Sequence, residues 1–216
     1  MVFNPKPKQL TAIKCLVFVL ALLPFLRMAW LVAIGQPVNP VEFLQHGSGD
    51  WALYLLCATL CVTPLRRLTG MNWLMRLRRM LGLYAFFYVT VHFLTFVWFD
   101  HNFNVAAIWK DVLKHPYITV GFAAFVLLVP LAATSTQGMI KRLGRNWTRL
   151  HRLIYAIAPL AILHYWWMKA GKHNFEQPII WGTVVALLLL LRVYWSWSRT
   201  RTQAAVPAPA REKVRS

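Results

Sequence analysis

The sequence contains few acidic residues and few cysteines. Only 6 of its 216 residues are Asp or Glu, against 24 Lys and Arg. The three cysteines (Cys15, Cys57 and Cys61) form no C-x-x-C pair, which excludes the usual thiol patterns of zinc sites, dithiol redox sites and covalent heme attachment. The chain also lacks a dinucleotide-binding fingerprint and a phosphate-binding glycine loop. We therefore expect it to bind no nicotinamide nucleotide of its own.

Hydrophobic residues dominate what is present. They make up 58% of the chain, and aromatic residues make up 14%. They occur in blocks about twenty residues long, the length that spans the hydrocarbon core of a bilayer. A net charge of +18 would suggest nucleic-acid binding in a soluble protein, but here the charges lie between the apolar blocks. The composition therefore predicts an integral membrane protein.

Six apolar blocks predict an all-α, six-helix membrane bundle. Their approximate bounds are 12–35, 51–65, 80–99, 117–136, a fifth within 145–169, and 178–197. The first block could instead be a signal peptide, because residues 33–35 resemble a cleavage site, but its length favours a retained helix. We expect a cytoplasmic segment at 1–11, the six-span domain at 12–197 and a disordered basic cytoplasmic tail at 198–216.

The charged residues collect on alternate predicted loops. Nineteen of the 24 basic residues lie on one side, and five of the six acidic residues lie on the other. An excess of Lys and Arg marks the cytoplasmic loops of membrane proteins, so both termini are predicted to be cytoplasmic. The predicted loops include an inner one with Arg66, Arg67, Arg76, Arg78 and Arg79, and an outer one with Glu42, His46 and Asp50.

Two histidines lie at matched depths on separate predicted spans. His92 lies thirteen residues after Arg79, and His164 lies twelve residues after Arg152. At ~1.5 Å rise per residue, these intervals place both imidazoles roughly 18–20 Å from the basic edge, where they can face each other. Because an ionisable side chain inside a membrane is costly, the pair indicates a functional site.

The available donors favour heme over other metal sites. Zinc usually needs three or four protein ligands, and copper often adds Met or Cys; only Met168 offers such a ligand near His164. A heme iron needs two axial ligands between apolar walls. The alternative is a pair of core histidines bonded to the backbone or to each other. The walls are predicted to come from Tyr84, Phe86, Phe87, Tyr88, Phe93, Phe96, Leu160, Ala161 and Trp167.

A third histidine, His151, lies at the basic edge, thirteen residues before His164. On an ideal helix this interval turns the two side chains about 140° apart, so a second heme stacked below the first is not predicted. His151 could bind an inner heme with an unusual partner or as its sole protein ligand. It could instead hydrogen-bond a flavin, a quinone or a heme propionate.

Five arginines are candidate anion-binding residues. Arg78 and Arg79 lie at the inner edge, and Arg149 and Arg152 flank His151. Guanidinium groups suit heme propionates and flavin phosphates, although cytoplasmic charge bias alone could explain all four residues. Arg27 lies inside the first apolar block, where it either pairs with a propionate or snorkels to the interface.

Three segments resemble the ferric-reductase-like transmembrane family. They are RRMLGLYAFFYVTVHFLTF at 78–96, NWTRLHRLIYAIAPLAILHYWW at 146–167, and TPLRRLTG at the end of the second span. Within this superfamily, residues 10–197 are similar to the heme-binding membrane subunits of bacterial periplasmic methionine-sulfoxide reductase systems. The resemblance rests on several patterned helices in the same order, spacing and orientation.

The resemblance implies b heme, one or two per chain, and FMN. It implies a protein of the bacterial inner membrane that passes electrons from a cytoplasmic flavin reductase or quinol to a periplasmic molybdenum-containing methionine-sulfoxide reductase. This transfer would support the repair of oxidised periplasmic proteins. His92, His151 and His164 match the ligand histidines of the family. The chain departs from the larger NADPH-oxidase relatives because it lacks a fourth ligand histidine and a nucleotide-binding domain.

Two alternatives to this electron conduit remain open at this stage. One is a stand-alone membrane reductase of ferric iron or quinone that uses the same cofactor. The other is a non-redox transporter or scaffold whose histidines are structural. A reduced-minus-oxidised visible spectrum separates the two redox functions from the transporter or scaffold. Reconstitution with a periplasmic acceptor separates the electron conduit from the stand-alone reductase.

Overall fold

The computed structural model describes residues 3–171 and 173–204, and every regular element in this part of the chain is helical. This confirms the predicted all-α class. Short 3-10 turns occur at Asn72–Leu74 and His151–Leu153, and a π-helical turn occurs at Phe96–Asp100. The α-helices are α1 (Pro7–Ala33), α2 (Pro40–Thr69), α3 (Met75–Thr95), α4 (Val105–Lys114), α5 (Pro116–Ala133), α6 (Gln137–Leu143), α7 (Arg145–Leu150), α8 (Ile154–Ala170) and α9 (Glu176–Ala204).

Five helical segments within the described residues are long and apolar enough to cross a membrane. They are Pro7–Ala33, Pro40–Thr69, Asn72–Asp100, Pro116–Ala133 and Glu176–Ser198. Helix α8 is also apolar but has 17 residues, which at ~1.5 Å per residue extend about 26 Å. The sixth span and the cytoplasmic location of both termini therefore stay predictions. We call the end of the bundle with α4 and the start of α2 the outer end, and the end with α6 and α7 the inner end.

Several predicted loops are helical, and those predictions were wrong. The segment with Glu42, His46 and Asp50 lies in α2, which begins at Pro40 behind the N-cap Asn39. The predicted arginine-rich inner loop is divided between the end of α2 and the start of α3. Hydropathy marks the length of chain inside hydrocarbon, whereas backbone hydrogen bonds continue a helix beyond the membrane until a residue such as Gly70, with φ 73°, ends it.

The last apolar span ends at Ser198, close to its predicted end, but the prediction of a disordered tail from residue 198 was wrong in part. Helix α9 continues to Ala204, so residues 198–204 of the predicted disordered tail are helical. The rest of that tail, 205–216, lies outside the described residues.

Helix α1 is attached to α3 by tyrosine hydroxyl groups. The hydroxyl of Tyr88 donates to the carbonyl oxygen of Ala21 at 2.8 Å and accepts from the backbone N–H of Phe25 at 3.0 Å. It thus occupies a gap in the helical hydrogen bonding of α1, next to the helix-distorting Pro24. One helical turn earlier on α3, the hydroxyl of Tyr84 donates to the carbonyl of Phe18 at 3.0 Å.

Two helix pairs form the centre of the bundle. Helix α2 packs along α3, helix α5 packs along α8, and α9 contacts both α8 and α2. Their shared core includes Leu56, Leu60, Tyr88, Ile157 and Ala158, all of which are buried. This arrangement places α3 and α8 so that a histidine of one approaches a histidine of the other.

Candidate functional site

His92 and His164 face each other between α3 and α8. Their ring centres are 6.1 Å apart, and the ring planes are nearly perpendicular at 81°. Each histidine lies in the last two turns of its helix, toward the outer end. The structure therefore brings together the two histidines that the depth argument paired.

Each of these imidazoles is held by a backbone carbonyl of a neighbouring helix. The Nδ1 atom of His92 lies 2.9 Å from the carbonyl oxygen of Gln45 on α2. The Nδ1 atom of His164 lies 2.7 Å from the carbonyl oxygen of Tyr117 on α5. A carbonyl can only accept, so each Nδ1 carries the proton and each Nε2 keeps a free lone pair. This is the tautomer that binds a metal through Nε2.

The separation of the two rings suits a single metal atom between them. With metal–nitrogen bonds of ~2 Å and ring bonds of ~1.3 Å, two imidazoles that share one metal have ring centres about 6 Å apart. The observed distance is 6.1 Å. Among the described residues there is no group of three or more His, Cys, Asp or Glu that could hold a metal ion. The donors at this position are thus the two imidazoles, which is the axial set of a heme iron.

A cavity of about 1110 Å³ surrounds the histidine pair. It extends from the outer end to the middle of the bundle, and its inner part is apolar, as a porphyrin site requires. The wall residues include Leu56, Ala85, Phe93, Phe125, Leu128, Ile157 and Ala161.

The predicted aromatic wall was correct only in part. Phe93, Phe96, Ala161 and Trp167 line the cavity. The other predicted wall residues do not line it, and several pack elsewhere. Tyr84 and Tyr88 bond to α1, Phe87 packs on Phe25 at 5.0 Å, and Phe86 stacks on Phe125 at 6.2 Å. In their place α2 and α5, which had no assigned role, supply about half of the wall.

The mouth of the cavity is polar. Asp50, Asp100, His101 and Asp111 line it. His101 lies 3.3 Å from Asp111, and only 11% of the His101 side chain is exposed. His101 is thus largely enclosed at the mouth of the cavity.

His151 lies outside this cavity, in the 3-10 turn that joins α7 to α8. Its Nδ1 donates to the carbonyl of Trp147 at 3.1 Å, and the two rings stack with centres 3.9 Å apart. Its Nε2 is buried, and the ring also lies close to the backbone of Leu131 on α5. Burial lowers the pKa of His151, which favours the neutral ring. The predicted angle of about 140° between the His151 and His164 side chains assumed one continuous α-helix. This assumption was wrong, because the 3-10 turn interrupts the helix.

Arg78 lies near His151 and is half-buried. Its guanidinium interacts with the hydroxyl of Tyr155 on α8. Arg192 of α9 donates to the same hydroxyl at 2.9 Å and also to the carbonyl of Leu60. The sequence analysis gave Arg192 no role and missed this position. A cation inside an apolar helix was the signal that could have found it.

The other candidate arginines are exposed. Arg79 donates to the amide oxygen of Gln137 at 3.1 Å in the orientation that satisfies both groups. Arg149 and Arg152 flank His151 at the inner end. Arg27 lies on the exposed side of α1, six residues before the helix ends, and does not line the cavity. The structure thus does not bring Arg27 to a propionate of a cofactor in this cavity, and its position suits snorkelling.

Residues 48–162 match the family model described as ferric reductase like transmembrane component. The chain belongs to this family. The matched segment runs from α2 into α8 and contains His92 and His151, while His164 lies two residues beyond it. The family assignment and the five apolar helices make the chain a multi-pass membrane protein.

Relatives within the family extend the similarity over most of the chain. The heme-binding subunit MsrQ of protein-methionine-sulfoxide reductase from Herminiimonas arsenicoxydans is 64% identical over 198 residues, 91% of each chain. The protein of the same name from Ralstonia nicotianae is 58% identical over 191 residues, 88% of each chain. That from Bordetella pertussis is 57% identical over 182 residues, 84% of this chain and 88% of its own. No solved structure matches significantly.

Proposed function

We propose that the chain is the heme-binding, electron-transferring membrane subunit of a protein-methionine-sulfoxide reductase. The observation that carries this proposal is the His92–His164 pair, whose rings lie 6.1 Å apart in a largely apolar cavity with both Nδ1 atoms bonded to backbone carbonyls. The names of the relatives, which describe heme-binding subunits of this reductase, support it.

The residues of the chain have distinct roles in this proposal. Heme b, when bound, supplies a one-electron carrier within the membrane. His92 and His164 would hold its iron. Their Nδ1 hydrogen bonds orient the rings and increase ligand basicity. The apolar walls exclude water, and lateral packing such as Phe93 on Phe125, with centres 4.6 Å apart, makes the cavity rigid.

A second cofactor is assigned to the inner end. His151 presents a buried Nε2 at this end, and Arg78, Arg149 and Arg152 supply positive charge around it. A second heme with His151 as ligand, or the FMN implied by the family resemblance, fits an imidazole nitrogen surrounded by positive charge. The phosphate of FMN and the propionates of heme are both anions that guanidinium groups bind. The hydroxyl of Tyr155 interacts with Arg78 from α8, and the nearby Arg192 of α9 adds a further positive charge.

The direction of electron transfer follows from the predicted topology. Nineteen of the 24 basic residues lie at the inner end or in the tail, so we assign that end and both termini to the cytoplasm. Electrons enter there from a flavin reductase or quinol. They would leave from the outer end, where His92 and His164 would hold the heme, to a periplasmic molybdenum-containing methionine-sulfoxide reductase. The protein accordingly resides in the bacterial inner membrane.

Reconstitution of the purified protein tests this function. NADH alone should leave the heme oxidised, whereas NADH with a soluble flavin reductase should reduce it. Adding the oxidised periplasmic reductase should then reoxidise the heme, and methionine sulfoxide should sustain turnover. Reduction by NADH alone, or no reoxidation by the periplasmic reductase, would contradict the proposal. Reoxidation by ferric chelates only would support a stand-alone ferric reductase.

A further inference from the structure

The two axial histidines are held by the same local arrangement on two different helices. In each case the acceptor carbonyl lies 47 residues before the histidine, and a glycine lies four residues after the carbonyl. The first set is Gln45, Gly49 and His92. The second set is Tyr117, Gly121 and His164, and each member lies 72 residues after its counterpart (117 − 45, 121 − 49 and 164 − 92).

Both glycines lie against the imidazoles. A Cβ atom added to Gly49 would lie 3.2 Å from Nδ1 and 3.3 Å from Cε1 of His92. A Cβ atom added to Gly121 would lie 2.7 Å from Nδ1 and 2.9 Å from Cε1 of His164. The second pair of distances is shorter than any normal contact, so the His164 ring would have to move.

The position of the glycine follows from helix geometry. In an α-helix the carbonyl of residue i points toward residue i+4, whose N–H it accepts. An imidazole that also donates to this carbonyl must approach beside residue i+4, where a Cβ atom would otherwise lie. Glycine leaves that space open, although it weakens the interior of a helix relative to alanine. A glycine at this point of both α2 and α5 therefore has a specific steric reason.

We propose that Gly49 and Gly121 are positioning residues for the two axial ligands. Each allows its histidine to donate from Nδ1 to a helical carbonyl, which holds the ring with Nε2 toward the cavity. The bundle thus delivers its ligands through two equivalent helix pairs, α2 with α3 and α5 with α8. This inference rests on the proposed heme ligation by His92 and His164.

Alanine substitution of each glycine tests the inference. Alanine should stabilise an ordinary helical position, so any loss of heme binding points to the imidazole. We expect Gly121→Ala to lower heme affinity by about 10- to 100-fold, the usual effect of losing an outer-shell partner of a metal ligand, and Gly49→Ala to have a smaller effect. Gly82→Ala is the matched control, because its Cβ atom would meet only Thr59 Cγ2 at an ordinary 3.7 Å.

Spectroscopy separates ligand displacement from general damage. The heme that Gly121→Ala retains should be partly high-spin, with an altered reduction potential, and added imidazole should restore the low-spin spectrum. Wild-type affinity, spin state and potential in both Gly49→Ala and Gly121→Ala would overturn the inference. If the glycine variants behave like the wild type while His92→Ala and His164→Ala abolish low-spin heme, only the role of the glycines fails, and the proposed heme ligation holds. If those histidine variants keep the wild-type spectrum, the proposed ligation fails instead.

A measurement on the unsubstituted protein decides the matter if an alanine variant does not fold. In the reduced, diamagnetic low-spin form, nitrogen-15 NMR of labelled histidine should show a protonated, hydrogen-bonded Nδ1 on both axial rings. An axial ring without a protonated Nδ1 would overturn the inference.

Discussion

Trp147 holds His151 by two contacts, because its carbonyl accepts the Nδ1 proton at 3.1 Å while its indole stacks on the imidazole at 3.9 Å. The indole itself is fixed, since its Nε1 donates to the carbonyl of Thr134 at 3.0 Å. The orientation of the inner imidazole is thus set by the end of α5 as well as by its own turn.

His151→Ala should lower inner-site cofactor content while leaving the His92–His164 heme spectrum unchanged. The physical reason is that His151 lies in a separate turn and does not line the outer cavity. Heme and flavin per polypeptide, and the rate of reduction by a flavin reductase, are the quantities to measure. Trp147→Phe should show a milder loss, because it keeps an aromatic ring but loses the bond to Thr134. Wild-type values of all three quantities in His151→Ala would show that this histidine binds no cofactor.

His92→Ala and His164→Ala should each abolish the low-spin spectrum of the outer heme. Either change removes one of two axial ligands, and the described residues offer no third metal-binding side chain grouped with them. Visible and EPR spectra of the purified variants measure the effect. His173→Asn is the control, because His173 is exposed and its positive φ of 49° is tolerated by asparagine. An unchanged spectrum in both alanine variants would rule out the pairing.

Tyr88→Phe should destabilise the bundle by about 1–3 kcal/mol, because it leaves buried backbone groups of Ala21 and Phe25 without their partner. Tyr84→Phe should cost less, since that hydroxyl makes one bond, to the carbonyl of Phe18. Thermal unfolding in detergent, followed by circular dichroism, gives the comparison. Equal stability of Tyr88→Phe and the unsubstituted protein would show that the hydroxyl does not hold α1.

A reporter active only in the periplasm should be active near Asn104 and silent after Ser216. Asn104 precedes α4 at the outer end, and the charge distribution assigns the C-terminus to the cytoplasm. A cytoplasm-active reporter at the same two positions should give the opposite pattern and serves as the control. The reverse result at either position would exclude six spans with both termini inside.

Reduction of the heme by a flavin reductase should become slower as salt is added. The inner end carries most of the 24 basic residues, which would attract an acidic or flavin-phosphate-bearing donor. Salt screens such attraction between exposed charges over about 8–10 Å at ionic strengths near 0.1 M. The rate of heme reduction between low and physiological NaCl measures this effect. Electron transfer to the periplasmic reductase is the internal comparison, because the outer end carries acidic and basic residues in similar number. A salt-independent inner reaction would argue against electrostatic docking.

Much of the fold could be predicted because the bilayer restricts what an apolar sequence can do. Blocks near twenty residues long must be helices, since only a helix satisfies its own backbone in hydrocarbon. The rise per residue then sets depth, which is why His92 and His164 could be paired by counting alone. Helix bounds were less predictable, as α2 and α9 show, because hydrogen bonding continues past the hydrophobic stretch.

The sequence alone thus determined the class, the membrane location, the matched depth of the two histidines and the family resemblance. Only the tertiary structure decided which way each side chain points. Packing turned Tyr84 and Tyr88 toward α1 rather than toward the cavity, and it left Arg27 outside the cavity. It also brought Arg192 to Tyr155 and placed Gly49 and Gly121 against the two imidazoles. The physical reason is that the depth of a residue in the membrane depends on its position along one helix. The direction in which its side chain points depends on how neighbouring helices rotate and pack against each other.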